Sequence, residues 1–375
     1  MDLKDLRDEI NKVDDELSRL FSQRMLLSEK VAALKTDTDQ PVYNEERENE
    51  IIKNAEKRFD KSIAGKGASL YSSIMLLSRE YQYEYMIENG KSPKIIERFL
   101  NKDVYEEKRV CYYGSECSWS NLAAMKMCPD AEFSGSPDFD TVFEKVASGE
   151  ADAGILPLDN STAGTVREVY DLLLKNNLFI SATCLLDIEY SLAGSKNTSK
   201  DTVKTVFSHP QSLSQCRNYL SENGFIPKEY FNTAAAAKFV SESGDNTTAA
   251  LCNMYAAEKY GLEIIDDKIR DSALNTTRFI KVTGKPLVTV KSDIISIAFN
   301  LKNKSGVLAA LLAVFKDYGV NLMKIESRPI PEKPFEYLFY LDFAGNIMDE
   351  KTKSILLLLE SELPEIYLLG NYSII

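Results

Sequence analysis

Residues 3–35 read LKDLRDEINKVDDELSRLFSQRMLLSEKVAALK, and their spacing decides how the chain begins. Apolar residues step by three and four: Leu3, Leu6, Ile10, Val13, Leu17, Leu20, then Leu27, Val31 and Leu34. That period predicts one long amphipathic helix. The step between Leu20 and Leu27 falls on Arg24. A guanidinium in an apolar seam is costly unless something anionic meets it, so the position predicts a buried ion pair or a ligand site. Lys35 lies about three turns later, on nearly the same side. Arg7 precedes Arg24 by seventeen residues. That is roughly 25 Å of helix, too far for one small ligand to touch both from one helix. If Arg7 serves the same kind of pocket, it reaches it from another helix, most simply the same helix of a second chain.

A turn at Pro41 leads to a second helix carrying Arg47 and Glu48. A third, about residues 66 to 90, sets Ser78 and Gln82 at i, i+4 on one face. Cations, one carboxylate, one hydroxyl and one amide suit a small dianion that also has hydroxyl or ether oxygens. Through Leu6-Arg7, Gln23-Arg24, Lys35, Pro41-Val42, Arg47-Glu48, Ser78 and Gln82, the first ninety residues resemble a helical chorismate mutase.

A length of 375 residues implies two or three domains. The net charge of −12 argues against nucleic acid and requires any anion site to gather its cations locally. Six cysteines without CxxC spacing and a single histidine, His209, argue against zinc or iron–sulfur chemistry. Free thiols and a charged, helical N-terminus without a signal-type apolar core point to the cytoplasm. No run is long enough to span a membrane.

We read residues 1–95 as all-α, 106–285 as two-lobed α/β and 292–375 as an α+β unit in βαββαβ order. In the middle segment, short apolar runs at Val110–Tyr113, Ala153–Leu158, Leu178–Leu186, Thr202–Phe207, Ala249–Leu251 and Phe279–Val282 alternate with helical patterns. They predict mostly parallel strands and a cleft between lobes. In the last segment, strands are expected at Ile294–Leu301, Val320–Ser327, Phe335–Phe343 and Ile366–Leu369, with helices from Gly306 and Asp349.

Several strand ends of the middle segment carry small polar residues, where open α/β folds bind ligands. They are Gly114–Ser120, Asp159–Gly164, Ser208–Gln211 with Gln215, Asn232-Thr233, and Asn275–Arg278. Singly, such clusters are ordinary N-caps and turns. Together, facing one cleft, they form a carboxylate-binding set. Pro157–Val166, Ser208-His209-Pro210-Gln211 with Gln215-Cys216, and Thr277-Arg278-Phe279 resemble the ordered motifs of prephenate dehydratase. Asn303–Leu308 and Glu326-Ser327-Arg328-Pro329 resemble the ACT domain that follows such dehydratases.

The chain is thus similar, over nearly its whole length, to bifunctional chorismate mutase–prephenate dehydratases. The resemblance implies a helical mutase, a periplasmic-binding-protein-like dehydratase and an ACT domain, with no metal or organic cofactor. It implies chorismate and prephenate as substrates and L-phenylalanine as feedback effector of a dimer or tetramer. In the mutase, Lys35 and Gln82 would meet the ether oxygen. Arg7 of a partner chain, Arg24 and Arg47 would hold carboxylates, and Glu48 and Ser78 would complete the pocket. In the dehydratase, Thr277 would assist loss of the ring hydroxyl. Asn160, Ser161, Ser208, Gln211, Gln215 and Arg278 would position substrate. Phenylalanine would meet Gly306, Val307, Leu308, Glu326, Ser327 and Arg328.

Four positions depart from the family pattern: Cys117 replaces a loop glycine, Trp119 a smaller aromatic, Asp159 a glutamate and Val307 an alanine. Two readings compete with this one. In the first, the mutase works and the altered loop leaves the dehydratase inactive. In the second, the cleft and the ACT unit only sense amino acids.

Overall fold

The computed structural model describes residues 2–38, 40–100, 107–272, 274–330 and 336–375. The chain divides into two compact units, Met1–Asn101 with Ser292–Leu368 and Lys102–Lys291 with Leu369–Ile375.

The first unit opens with α1 (Leu3–Thr38), α2 (Glu45–Arg58) and α3 (Ala64–Glu88). The Asn44 side chain caps α2 by accepting from the Arg47 N–H at 2.9 Å. Acidic residues in its first turn and basic ones in its last complement the helix dipole. The face that α1 turns inward is not its apolar seam. Ser28 and Ala32 are buried, with Arg24 and Lys35 half-buried beside them. Seam residues from Leu3 to Leu34 stay 41–66% exposed. The small residues let α1 and α3 approach closely, and the leucines are left without cover in this chain.

In the second unit, the first lobe contains β1 (Arg109–Tyr113), α4 (Trp119–Met127), β2 (Glu132–Ser136), α5 (Phe139–Ser148), β3 (Ala153–Asn160), β4 (Gly164–Thr165), α6 (Arg167–Asn176) and β5 (Phe179–Asp187). The chain crosses into a second lobe of β6 (Tyr190–Gly194), β7 (Thr205–Ser208), α7 (Pro210–Gln215), α8 (Arg217–Glu222), β8 (Ile226–Glu229), α9 (Thr233–Ser243), β9 (Thr248–Cys252), α10 (Met254–Lys259) and β10 (Glu263–Ile269). It returns as β11 (Thr276–Thr283), which inserts between β3 and β5.

Every apolar run expected in this segment is a strand, but the sheets are mixed rather than mostly parallel. β1 is parallel to β2 and β3, and β7 to β8 and β9. β11 runs antiparallel to both neighbours, and β6 antiparallel to β9 and β10. A strand that comes straight back from the other lobe has no crossover helix to turn it around. The short β4 and the buried inner strand β6 were not expected, and neither were the three strands β2, β8 and β10. Each of these three lies at a sheet edge, and their sequences EFSGS, IPKE and EIIDDKI are largely exposed, so they lack the apolar signal of a central strand.

The last segment follows the expected order: β12 (Ile294–Asn300), α11 (Val307–Asp317), β13 (Leu322–Pro329), β14 (Tyr337–Ala344), α12 (Glu350–Glu362) and β15 (Ile366–Tyr372). β14 lies antiparallel between β13 and β12. The strand expected from Phe335 begins at Tyr337, and residue 335 lies outside the described residues. The end of the chain belongs to the second unit, where Gly370 pairs with Ile180 of β5.

Within the first unit, α3 packs on α11 and α12 and buries Glu80, whose Oε1 has no partner. Burial, with Asp317 and Glu84 nearby, pushes this carboxyl up to about 8. The folded state therefore holds a proton that the unfolded chain releases near its ordinary 4.5. Its contribution to stability is complete below pH 4.5 and is lost as pH rises towards 8. Glu80→Gln is expected to unfold at higher urea than the parent. The gap should be small at pH 5 and grow to a few kcal/mol, in order of magnitude, by pH 8. A gap that does not change with pH would show that Glu80 is already ionised.

Two candidate active sites and a regulatory fold

A cavity of about 370 Å³ opens among α1, α2 and α3, and Arg24, Lys35, Arg47, Glu48, Ser78 and Gln82 all line it. Arg24 Nη1 donates to Ser78 Oγ and to the Ile74 carbonyl at 3.3 Å. Lys35 Nζ donates to the Val42 carbonyl at 2.7 Å. Gln82 Nε2 donates to the Ser78 carbonyl at 3.0 Å, which leaves its second N–H for the cavity. Burial pulls both Arg24 and Lys35 below their ordinary pKa values, and Glu48 offsets part of each shift. These are partly desolvated cations, which bind an anion more strongly than hydrated ones do. Arg47 sits at the rim, exposed and paired with Glu50 at 2.6 Å. Arg7 is not brought here; it lies on the exposed first half of α1.

The second site spans the two lobes of the second unit. Asn160 ends β3, Thr277 opposes it on β11, and Gln215 ends α7. Asn160 Oδ1 accepts from the backbone N–H groups of Thr162 and Ala163 at 3.0 and 2.8 Å. Those donors fix the orientation of the amide, so Nδ2 must donate, and it does so to Thr277 Oγ1 at 2.8 Å. The Thr277 hydroxyl is thereby set as an acceptor from the protein, and its own hydrogen is left to donate elsewhere.

Gln215 Nε2 donates to Thr162 Oγ1 at 3.0 Å, and Thr162 Oγ1 donates to Asn160 Oδ1 at 2.6 Å. Tyr190 and Asn275 both donate to Gln215 Oε1, at 3.0 and 3.1 Å. Asn160 Nδ2 also reaches Asn275 Oδ1 at 2.9 Å. The polar chain from the second lobe thus ends on Thr277, with its dipoles aligned.

Other expected residues are placed differently. Ser161 Oγ accepts from the Thr276 N–H at 3.0 Å and pins β11 to the loop. Arg278 is paired with Asp159, Nε at 2.9 Å and Nη2 at 2.5 Å from Oδ2. Ser208 is fully buried and donates to the Leu251 carbonyl at 2.6 Å, so it ties β7 to β9. Gln211 is exposed on α7, and its N–H caps onto His209 Nδ1 at 3.2 Å. Tyr190 was not expected in the site, and Thr162 and Asn275, though inside the expected polar runs, had no individual role there. Asn275 stands in a polar run that drew attention, but nothing in the sequence distinguishes it there from a turn residue.

The altered first loop explains itself in the backbone. Cys117 has φ +65°, the left-handed region that favours glycine, and its side chain is fully buried against Ala193 and Ala234. Asn253 Nδ2 holds its carbonyl at 2.8 Å, and its N–H donates to Asn121 Oδ1 at 3.0 Å. Glycine would relieve about 1–2 kcal/mol of conformational cost but forfeit a similar amount of apolar burial. Cys117→Gly is expected within about 1 kcal/mol of the parent in urea unfolding, and Cys117→Val to lose roughly 3 kcal/mol. Equal losses would mean the torsion carries no strain. Beside it, Trp119 meets Tyr190 edge-on at 6.4 Å and packs against the cores of both lobes.

In the ACT-like segment, Gly306 (φ +85°) opens α11, ahead of Val307 and Leu308. Glu326 and Arg328 share one face of β13, with Ser327 on the other, and Lys324 Nζ approaches Glu326 at 3.3 Å.

Among the described residues, no helix is long and apolar enough to cross a membrane. Three family profiles match in order: chorismate mutase type II at residues 6–83, prephenate dehydratase at 110–286 and the ACT domain at 295–357. The bifunctional chorismate mutase/prephenate dehydratase of Aquifex aeolicus (strain VF5) is 30% identical over 99% of this chain and 98% of its own. The arogenate dehydratase/prephenate dehydratase 2 of Arabidopsis thaliana is 36% identical over 71% of this chain and 73% of its own. The crystal structure of prephenate dehydratase in complex with L-Phe from Arthrobacter aurescens superposes with TM-score 0.65 at 28% identity, covering 71% of this chain and 90% of that one.

Fold and sites together define a two-site enzyme, an isomerase joined to a lyase on one chain. The chain belongs to the bifunctional chorismate mutase/prephenate dehydratase family of phenylalanine biosynthesis.

Proposed function

We propose that the helical cavity rearranges chorismate and the interlobe site aromatises the prephenate it yields, within segments 1–95 and 106–285. The observation that carries the second assignment is the direction of the Asn160–Thr277 hydrogen bond, which leaves the Thr277 O–H free to donate. Prephenate loses its ring carboxyl as carbon dioxide. The electron pair of that C–C bond enters the ring, and the ring C–O bond breaks. Thr277 hydrogen-bonds the departing oxygen, which takes one proton from solvent and leaves as water. Asn160, Ser161 and Gln215 hold the loop and substrate. Arg278 and Asp159 brace the strand end, Ser208 sets the β7 end, and Gln211 lies on α7, the helix that carries Gln215.

The mutase step is unimolecular, so holding a compact conformer and stabilising charge on the ether oxygen suffice. Lys35 and the free N–H of Gln82 meet that oxygen. Arg24 and Arg47 hold carboxylates, and Ser78 orients Arg24. The uncovered leucine seam of α1 supports pairing with a second copy, whose Arg7 then completes the cavity. The cytoplasm is the compartment this reading assigns.

Phenylalanine binds segment 292–375, near Gly306, Val307, Leu308, Glu326, Ser327 and Arg328, and inhibits. Gly306→Val puts a β-branched residue at φ +85° and fills the approach to α11. The parent is expected to lose dehydratase activity as phenylalanine is added, and this variant to keep it. Equal inhibition of both would place the effector elsewhere.

A further inference from the structure

Glu48 poses a problem for a cavity built to hold an anion. It lines the same cavity as Arg24 and Lys35, and both feel its charge. Free to swing, its carboxylate would neutralise the cations that substrate carboxylates need. It is tethered instead. Arg79 of α3 pairs with Glu48, while Arg79 Nε holds Glu362 of α12 at 2.8 Å. The Arg79 side chain is only 11% exposed and that of Glu362 14%. The guanidinium also lies over the Tyr43 ring, 5.1 Å from its centre. A buried guanidinium shared by two carboxylates and a ring has little freedom to move.

Glu48 and Arg79 also line a second cavity of about 590 Å³, walled on its far side by Lys304, Val314 and Glu362. The same seam is tied by Glu45 to Lys302 at 3.1 Å and Lys304 at 2.5 Å. Glu360 accepts the backbone N–H groups of Lys94 and Ile95 at 2.9 and 2.8 Å.

We infer that Arg79, anchored by Glu362 of the ACT fold, is a positioning residue for the mutase step, turning Glu48 away from Arg24 and Lys35 and towards a substrate hydroxyl. This inference rests on reading the smaller cavity as the mutase site. Helix α12 then contributes to chorismate turnover without touching chorismate. With Glu48 released, the cations are partly neutralised, so substrate binding suffers before chemistry does.

The test is steady-state mutase kinetics on the full chain, with prephenate turnover as a control in the same preparations. Arg79→Ala should raise KM for chorismate about tenfold or more with kcat within about threefold, and Arg79→Lys should recover part of that. Glu362→Gln should raise KM roughly two- to fivefold and leave the prephenate reaction unchanged. Because Arg79 acts through Glu48, Arg79→Ala/Glu48→Gln should match Glu48→Gln alone within about twofold. Multiplicative effects in the double variant, or a fall in kcat at unchanged KM, would overturn the inference. If Arg79→Ala fails to fold, Glu362→Gln with and without Glu48→Gln makes the same comparison. A parent chain that does not consume chorismate would instead refute the site reading beneath it.

Discussion

Thr277→Val should lower prephenate turnover by about 10³-fold or more and leave chorismate rearrangement unchanged. The substitution is close to isosteric, so the packing of β11 between β3 and β5 survives it. It removes two things at once. The substrate loses the O–H that would meet its departing hydroxyl. Asn160 Nδ2 loses the acceptor it holds at 2.8 Å and keeps Asn275 Oδ1 at 2.9 Å and the Thr276 carbonyl at 3.5 Å. Hydroxide is a poor leaving group, so loss of the donor falls on the transition state and appears in kcat rather than KM. Prephenate consumption followed by phenylpyruvate absorbance reads the first outcome, and chorismate loss in the same preparation the second. A variant that turns over prephenate within tenfold of the parent would remove Thr277 from the chemistry.

Arg7→Ala and Arg24→Ala chains, each nearly inactive as mutases, should regain activity when mixed and refolded together. Arg7 lies seventeen residues before Arg24 on a continuous α1, so roughly 25 Å of helix separates them. No fold of one α1 brings both to one cavity. In a pair that shares its sites, a mixed dimer has one cavity with both arginines and one with neither. Random pairing makes about half the dimers mixed, so recovery should approach about a quarter of parental activity. Well-folded mixtures that stay inactive would confine the site to one chain.

Much of this was legible because periodicity and polar strand ends are local properties. The leucine steps of α1 fixed a helix, and the misfit at Arg24 marked its cavity. What those steps could not tell was which face packs inward. The structure buries Ser28 and Ala32 instead, since small residues permit close approach and carry little apolar signal. The runs at β3, β5 and β11 announced themselves by continuous burial. Edge strands β2, β8 and β10 did not, because water on one side relaxes the pattern.

In the dehydratase site, Asn160 and Thr277 stood in recognisable motifs. Tyr190 reaches Gln215 only through folding, from β6, a strand that the sequence reading did not expect. Arg79 was passed over for a related reason. Beside Ser78 in sequence it points about 100° away around the helix, and its partners come from α2 and α12.

The most direct test is a time course of pure protein with chorismate, following chorismate, prephenate and phenylpyruvate together. Two sites on one chain predict that chorismate falls without added cofactor, prephenate rises and passes through a maximum, and phenylpyruvate accumulates to match the chorismate lost. Prephenate that accumulates to the full amount with no phenylpyruvate would contradict the account of the interlobe site. Chorismate that persists would contradict the account of the helical one.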